Sequence, residues 1–325
     1  IKLLELITSF LSQFKENINH TSLDILKDKS LSNERNKVFL EIFSSVYEEY
    51  QNYLKDRKEI DFGDMISKAS YSVKTNLFVS KWKYIIIDEF QDISQGRYDL
   101  INSLLAQNEK TKLFVVGDDW QAIYRFSGSN HQIMNNFRNL FGKSTIVKLD
   151  TTFRFNNSIA RVSENFITKN PRQIKKTLKT LTFKKTPQIF LHWNDLDVFD
   201  ALKKCIKYLI ENEKPENRSL QILTRYNRSK LQPNQFKQIK SLWNGEVYRQ
   251  RTIHASKGLE ADYVVLLDLS SQYSGFPSER DSDPIMDLVL AKTDNFINSE
   301  ERRLLYVAMT RSREQTHFIA DRNFP

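Results

Sequence analysis

The chain has 325 residues, of which 40% are hydrophobic and 12% aromatic, so it is long enough for two domains with packed cores. Its 49 lysines and arginines outnumber its 40 aspartates and glutamates, and the net charge of +9 favours a polyanionic partner. Cys205 is the single cysteine, which excludes an intramolecular disulfide or a metal site built from cysteines, and we expect a cytoplasmic protein. No run of about 18 apolar residues occurs, so no membrane-spanning helix is predicted.

A helical accessory region is predicted for residues 1–60. Apolar and aromatic side chains recur there every three or four residues, as on one face of a helix: Phe39, Ile42, Phe43, Val46, Tyr47 and Tyr50. After it, short apolar runs alternate with helical stretches, a pattern typical of a parallel sheet covered by helices. In the first such stretch, 61–155, the runs 84–87, 113–116 and 146–147 are predicted to be strands that are buried on both faces.

A second alternation of strands and helices covers residues 156–325. Four apolar runs are predicted to be its strands: 188–191, 219–223, 263–267 and 317–320. The basic segment 169–187 is predicted to be a surface linker, and 270–298 a loop-rich insertion. The sequence therefore predicts the α/β class with two lobes, each a parallel sheet with flanking helices.

The carboxylate pair Asp88-Glu89 directly follows the predicted strand 84–87. Open α/β sheets bind ligands at the carboxyl ends of their strands, so both side chains are predicted to lie at such an edge. The first carboxylate of a pair like this can hold a Mg²⁺ ion that bridges nucleotide phosphates, and the second can take a proton from the attacking water. A strand followed by two acidic residues is common, so the pair alone could equally be two solvent-exposed surface residues without a catalytic role.

A second candidate segment, 117–126, follows the next predicted strand. Gln121 offers a neutral donor and acceptor that suits a phosphate or the water that attacks it. Tyr124 and Phe126 are aromatic side chains on a predicted loop, where the bases of a nucleic acid could stack on them. Packing in the core of the lobe is the alternative for both rings.

Three later segments add arginines and, in the first of them, an aromatic ring next to a guanidinium: 152–155, 251–260 and 302–311. An arginine from one of them could neutralise charge on a transferring phosphoryl group, as an arginine finger does. Each arginine by itself would more often be a surface residue or part of an ion pair. The order of all the candidate segments along the chain favours a common function instead.

These segments resemble the ordered motifs of the UvrD/Rep-type superfamily 1 DNA helicases: DEFQD at 88–92, GDDWQAIYRFSG at 117–128, TFRF at 152–155, TIHASKGLEAD at 252–262 and RRLLYVAMTR at 302–311. Trp120 and the following RFSG are similar to the helicase IV branch of that family. The resemblance implies RecA-like P-loop NTPase lobes: 61–155 would be the C-terminal part of the first motor domain, and 156–325 the second. It also implies ATP and Mg²⁺ as cofactors, and single-stranded DNA and duplex DNA junctions as partners.

The resemblance implies catalytic roles for five residues. Asp88 would hold the Mg²⁺ ion, and Glu89 would be the catalytic base. A second group would sense or stabilise the γ-phosphate: Gln121, Arg154 and Arg311. Because these roles come from motif positions, they depend on the fold bringing the segments together.

Further positions would bind the nucleotide or the DNA. Phe153 stands where the family usually has a tyrosine that stacks on adenine, and it keeps the ring without the hydroxyl. Gly258 and Glu260 would lie near the ribose and the phosphates. DNA would contact three side chains: Tyr124, Phe126 and His254.

One element expected of such an NTPase does not occur in this sequence. A Gly-x-x-x-x-Gly-Lys-Ser/Thr loop cradles the phosphates, but the Gly-Lys-Ser triplet at 142–144 has Phe137 where the first glycine would stand. The triplet also lies between a predicted helix and a predicted strand, so Gly142 is better explained as a helix C-cap. We therefore expect the loop to lie upstream of Ile1, the first lobe to be incomplete, and this chain by itself to be inactive.

The sequence thus predicts the motor of an ATP-dependent 3′–5′ DNA helicase. Two alternatives stay open. One is a nucleic-acid-binding or regulatory module that does not hydrolyse ATP, which would describe this chain by itself better. The other is the helicase part of a helicase–nuclease. Membrane contact is not expected, and the pattern predicts no particular protein partner.

Overall fold

The computed structural model describes residues 3–17, 22–30, 33–194, 197–213, 216–270, 275–278, 283–292, 294 and 296–321. The chain divides into two compact units. Unit 1 comprises residues 1–143 and 281–293, and unit 2 comprises residues 144–280 and 294–325. The division after residue 143 lies upstream of the boundary that the sequence predicts after residue 155, so Phe153 and Arg154 belong to unit 2.

Unit 1 begins with helices α1 (Leu3–Glu16), α2 (Leu23–Lys29) and α3 (Glu34–Arg57), which confirms the helical prediction for this region. Their apolar faces share a core with the short 3₁₀ helix Pro284–Leu288. Four phenylalanine rings meet in this core: Phe10, Phe14, Phe39 and Phe43. Buried ring pairs of this kind stabilise by about 0.5–1.5 kcal/mol each beyond the area they bury.

The rest of unit 1 consists of α4 (Phe62–Lys74), β1 (Tyr84–Ile87), α5 (Gln95–Gln107), β2 (Lys112–Val115), α6 (His131–Asn135) and α7 (Phe137–Phe141). The two strands pair in parallel, with Tyr84 opposite Lys112 and Ile87 opposite Val115. Helices α5 to α7 contribute to a core that contacts one face of this sheet. The predicted strands at 84–87 and 113–116, and the helices between and after them, are confirmed.

Two predictions about the first sheet are wrong. The strands β1 and β2 are not buried on both faces, because Ile86 is 72% exposed and Phe114 is 60% exposed. Side chains alternate between the faces of a strand, and the helices pack on the face that carries Ile87 and Val115. Residues 146–147 form no strand and are exposed, and no described strand pairs with them.

Unit 2 contains β3 (Thr151–Thr152), α8 (Asn157–Ile167), β4 (Lys179–Thr180), β5 (Ile189–Asn194), α9 (Val198–Glu213), β6 (Ser219–Thr224), α10 (Pro233–Leu242), β7 (Glu246–Val247), β8 (Arg251–Thr252), β9 (Ala261–Leu269), α11 (Ser299–Met309) and β10 (Ser312–Asp321). Its main sheet has the strand order β5-β10-β9-β6-β7, with β8 also beside β6, and all of these pairs are parallel. The four predicted strands and the α/β class with parallel sheets are confirmed.

The second sheet has the buried centre that the first lacks. Every residue of β6 is buried, and Val264 to Leu267 of β9 are fully inaccessible. Helix α9 covers one face of the sheet with Leu202, Ile206 and Leu209. None of the helices in the described part of the chain is long and apolar enough to cross a membrane.

A buried lysine connects α1 to the start of α4. Lys15 Nζ lies 2.7 Å from Asp61 Oδ2 and 2.8 Å from Asp64 Oδ1, and the lysine side chain is 3% exposed. Asp61 caps α4 through a reciprocal capping box with Asp64. Burial raises the pKa of Asp61, but hydrogen bonds from Lys15, from the Asp64 backbone and from Tyr50 outweigh it and lower the pKa.

Replacing Lys15 should destabilise unit 1, because two partly buried carboxylates would lose their cation. For Lys15→Met we expect the free energy of unfolding, measured with urea, to fall by an amount near the lower end of about 3–5 kcal/mol. Asp61 has a lowered folded-state pKa, so its contribution exists above its unfolded-state pKa and disappears as the pH falls through the folded-state value. Lys37→Met breaks only the exposed pair with Glu34 and should change stability by less than ~0.5 kcal/mol. Equal effects of the two substitutions would contradict the role of Lys15.

Candidate functional site

The carboxylate pair Asp88-Glu89 lies at the carboxyl end of β1, and both residues are exposed. Glu89 has a φ of 50°, a left-handed conformation that is uncommon outside glycine, and its N–H donates to Asp88 Oδ1 at 2.8 Å. The chain then enters the short 3₁₀ helix Phe90–Asp92, whose first ring, Phe90, is entirely buried. A buried ring directly after the pair thus anchors two exposed carboxylates at the edge of the sheet.

Gln91 connects this pair to the loop that follows β2. Its side chain is fully buried; Nε2 donates to Glu89 Oε2, and Oε1 accepts from the backbone N–H of Asp118 at 2.9 Å. Asp118 Oδ2 in turn accepts from Gln121 Nε2 at 2.7 Å. A continuous chain of hydrogen bonds therefore runs from Glu89 to Gln121 across the carboxyl ends of two neighbouring parallel strands.

The loop after β2 leaves little space for other side chains. A Cβ at Gly117 would lie 2.8 Å from Gln91 Oε1 and 3.1 Å from Met134 Sδ, so any larger residue would displace the buried amide. Behind the loop, Trp120 and Ile123 are entirely buried. These contacts hold the backbone around Gln121 in one place.

The two loop aromatics have different surroundings. Phe126 is 57% exposed, which excludes the core alternative for this ring. Tyr124 is half-buried; its burial raises the pKa of the phenol, and the nearby charges of Asp92 and Glu89 raise it further. The ring centroids of Tyr124 and Phe126 are 6.1 Å apart. Tyr124 therefore lies beside carboxylates, whereas Phe126 offers its ring to solvent.

In unit 2, Arg154 and Glu260 form an ion pair. Arg154 Nε lies 3.2 Å from Glu260 Oε2, and Glu260 Oε1 also accepts from Arg313 Nε at 3.1 Å. The hydrogen bond from Arg313 is the main cause that lowers the pKa of Glu260; partial burial opposes it, and Arg154 reinforces it. Phe153, beside Arg154 in the chain, is 81% exposed. Two residues predicted to contact a nucleotide thus contact each other.

The loop between β8 and β9 carries two further predicted residues. His254 begins the 3₁₀ helix His254–Ser256 and is half-buried. Gly258 has a φ of 80°, and a Cβ there would meet nothing within 4 Å. The backbone conformation at this position therefore favours glycine, whereas the space around it would admit a side chain. Both residues lie in the segment that leads to Glu260.

Arg311 is buried within unit 2, with 1% of the residue exposed. It follows α11 by two residues, and its Nε donates to the carbonyl of Val307 at 3.0 Å. Its Nη1 donates to the carbonyl of Leu259 at 3.3 Å. The guanidinium is thus held by backbone carbonyls next to Glu260 rather than extended into solvent.

Sequence reasoning missed three residues of these networks: Gln91, Asp118 and Arg313. Gln91 and Asp118 lie inside the two motifs, and the signal for Gln91 was an amide two residues beyond Glu89 where the chain turns into the core. Nothing local distinguishes Arg313 from other surface arginines, because its partner Glu260 is distant in sequence.

Comparisons with known proteins place these segments in helicase domains. The model of the UvrD/REP helicase N-terminal domain matches residues 3–142, and that of the UvrD-like helicase C-terminal domain matches residues 249–322. The first range contains Asp88, Glu89 and Gln121, and the second contains Glu260 and Arg311. Phe153 and Arg154 lie between the two matches.

Named relatives are DNA helicases. DNA helicase IV of Escherichia coli K12 is 37% identical over 286 residues, which are 88% of this chain and 41% of that protein. ATP-dependent DNA helicase Rep of Buchnera aphidicola from Acyrthosiphon pisum is 26% identical over 263 residues, 78% of this chain and 37% of that protein. The chain thus spans about two fifths of the length of these relatives.

Removing the buried amide of Gln91 should destabilise the hydrogen-bond chain between Glu89 and Gln121 in unit 1. Gln91→Leu takes away the acceptor of the Asp118 N–H and the donor to Glu89, so we expect a loss of about 1–3 kcal/mol in the free energy of unfolding. Gln132→Leu loses only an exposed bond to the carbonyl of Lys292 and should cost less than ~0.5 kcal/mol. Urea unfolding of both variants measures the difference, and an undiminished stability of Gln91→Leu would contradict the role of the amide.

Proposed function

Because the chain belongs to the UvrD/Rep family of DNA helicases, we propose that it is the motor part of an ATP-dependent helicase that moves 3′ to 5′ on single-stranded DNA and unwinds duplex junctions. The observation that carries this proposal is the hydrogen-bond chain from Glu89 through Gln91 and Asp118 to Gln121. Catalysis of phosphoryl transfer depends mainly on positioning and on charge stabilisation. The carboxylate of Glu89 and the amide of Gln121, held in place at the ends of adjacent strands, supply the positioning.

The residues of unit 1 fit the magnesium end of a nucleotide site. Asp88 presents an exposed carboxylate, the hard oxygen ligand that Mg²⁺ prefers. The bound ion would neutralise charge on the β- and γ-phosphates. Glu89, turned by its left-handed backbone and held by Gln91, would accept the proton of the attacking water. Gln121, oriented by Asp118, would position that water or the γ-phosphate.

The described residues do not supply the phosphate cradle. Gly142 is the C-cap of α7 with a φ of 78°, and the residues after it enter no helix. The Gly-x-x-x-x-Gly-Lys-Ser/Thr loop does not occur in the 325 residues of the sequence, so this chain alone should not hydrolyse ATP. This observation favours a second candidate function for the chain by itself, a nucleic-acid-binding module without turnover.

In unit 2 the proposed nucleotide contacts are two arginines and an aromatic ring. Arg154 and Arg311 would stabilise the γ-phosphate, and the exposed ring of Phe153 would stack on adenine. Arg154 already forms an ion pair with Glu260. To contact the γ-phosphate, Arg154 would have to leave Glu260 or bind both groups at once. The backbone at Gly258 would lie near the ribose and phosphates.

Single-stranded DNA would be bound by aromatic and basic groups together. The exposed ring of Phe126 is a stacking platform for a base, and Tyr124 and His254 are the other proposed contacts. The net charge of +9 would attract the phosphate backbone. Stacking on a ring carries little sequence preference, which suits a motor that moves along any strand.

Glu89→Gln tests the catalytic proposal in a form of the protein that is extended to include a phosphate-binding loop. The amide keeps the shape and loses the base, so kcat should fall by about 10²–10⁴-fold while ATP binding is nearly unchanged. Glu109→Gln changes another exposed glutamate of unit 1 and should leave kcat as it is. A Glu89→Gln protein within a few-fold of the original kcat would remove the base role, and rapid turnover by the unextended chain would show that the cradle is not required.

Phe126→Ala tests the DNA contact. Loss of one stacked base costs about 1–3 kcal/mol, so affinity for single-stranded DNA should fall roughly 5- to 150-fold with little change in its salt dependence. Phe62→Ala removes a ring that is 82% exposed on α4 and should leave the affinity unchanged. Both variants should unfold at the original midpoint. Unaltered DNA affinity of Phe126→Ala would mean that this ring does not touch DNA.

A further inference from the structure

Three side chains that the proposed motor does not use come together in unit 2. His192 lies on β5, His317 on the neighbouring β10, and Cys205 on α9, which packs against this sheet. One ligand atom of each lies within 4.8 Å of those of the other two, and His192 Nε2 is 2.9 Å from His317 Nδ1. His317 is opposite Phe190, so His192, two residues further along β5, is on the same face.

The hydrogen bonds around His317 determine which of its nitrogens carries the proton. Gln315 Nε2 donates to Glu213 Oε1 at 2.8 Å, and this turns Gln315 Oε1 towards His317 Nε2 at 3.0 Å. His317 Nε2 must therefore be protonated, which leaves the lone pair on Nδ1 facing His192. An outer nitrogen that donates to an oxygen and an inner nitrogen with a lone pair is the arrangement of metal-binding histidines.

Burial disfavours the charged form of both rings, and the neutral imidazole is the form that binds metal ions. His317 is fully inaccessible and stacks on Phe190 with centroids 4.8 Å apart. Burial lowers the pKa of His317 to about 3, and repulsion from a protonated His192 would lower it further; burial also lowers the pKa of His192. Burial raises the pKa of the Cys205 thiol. A bound cation reverses this preference, since a thiol that coordinates a metal ion loses its proton.

We propose that His192, Cys205 and His317 bind one transition-metal ion of the Zn²⁺ class and so join β5, β10 and α9. His192 Nε2, His317 Nδ1 and Cys205 Sγ would be the protein ligands, with water in the fourth position beside the half-buried His192. On binding, the Cys205 thiol proton leaves to solvent, and the proton of His192 moves from Nε2 to Nδ1. Two nitrogens and a sulfur suit Zn²⁺ or Co²⁺ better than Mg²⁺ or Ca²⁺.

The single cysteine makes the test specific. Added to the reduced chain, Co²⁺ should produce a near-ultraviolet thiolate-to-metal charge-transfer band that saturates at one ion per chain, and Zn²⁺ should abolish it by displacement. Because Cys205 is the only cysteine of the sequence, no other residue can give this band. Cys205→Ala should lack it.

Two further variants separate ligands from their support. His192→Ala, at a half-buried position, should lower the affinity for Zn²⁺ by more than about 10-fold. Gln315→Leu removes the outer partner of His317 and should lower it by about 10- to 100-fold while the Co²⁺ band persists. His254→Ala, outside the cluster, should change neither the affinity nor the band. Circular dichroism of each metal-free variant confirms that it is folded.

The alternative is a hydrogen-bonded histidine pair beside an ordinary core cysteine. Co²⁺ binding without the thiolate band would overturn the proposal in favour of that alternative. So would an unchanged Zn²⁺ affinity in folded His192→Ala. These readouts involve neither ATP nor DNA, so they are independent of the proposed motor function.

Discussion

The candidate site of unit 1 depends on a single buried amide. Gln91 uses one end of its side chain for Glu89 after β1 and the other for the Asp118 N–H after β2. An amide that is buried without partners costs about 1–3 kcal/mol, so the two loops stay where both bonds are made. Gly117 leaves the space that the amide occupies. The residue that positions the proposed base therefore has no proposed contact with the nucleotide.

Unit 2 holds its charged groups in a different way. Arg154 and Arg313 share the carboxylate of Glu260, and Arg311 is buried against backbone carbonyls. In unit 1, by contrast, Asp88 and Glu89 are exposed at the edge of the sheet. Under the proposed function, a nucleotide phosphate would meet arginines that already have partners, so its binding would exchange contacts rather than simply add them. Such an exchange would couple nucleotide binding to a rearrangement of these ion pairs.

The two sheets show why similar apolar runs end in different surroundings. The apolar run at 84–87 is predicted to be a strand buried on both faces and the run at 219–223 to be a strand, yet Ile86 is largely exposed whereas every residue of β6 is buried. Strand β6 has neighbours on both sides, and α9 covers its sheet. In the described residues β1 pairs with β2, and the helices pack on the face of Ile87. Burial is thus a property of what packs on a strand, which the strand's own residues do not encode.

Local sequence was sufficient for the main strands of both sheets and for the identity of the carboxylate pair. Apolar periodicity and motif order are short-range properties, and they predicted the α/β class, the helices of 1–60 and the position of Asp88 and Glu89 at a strand end. The tertiary structure alone decided which side chains meet across long separations: Gln91 with Asp118, Arg154 with Glu260, and His192 with His317. It also decided that Phe126 is exposed and Arg311 buried. The physical reason is that hydrogen-bond partners and burial depend on how strands and helices pack, and residues far apart in the chain supply both.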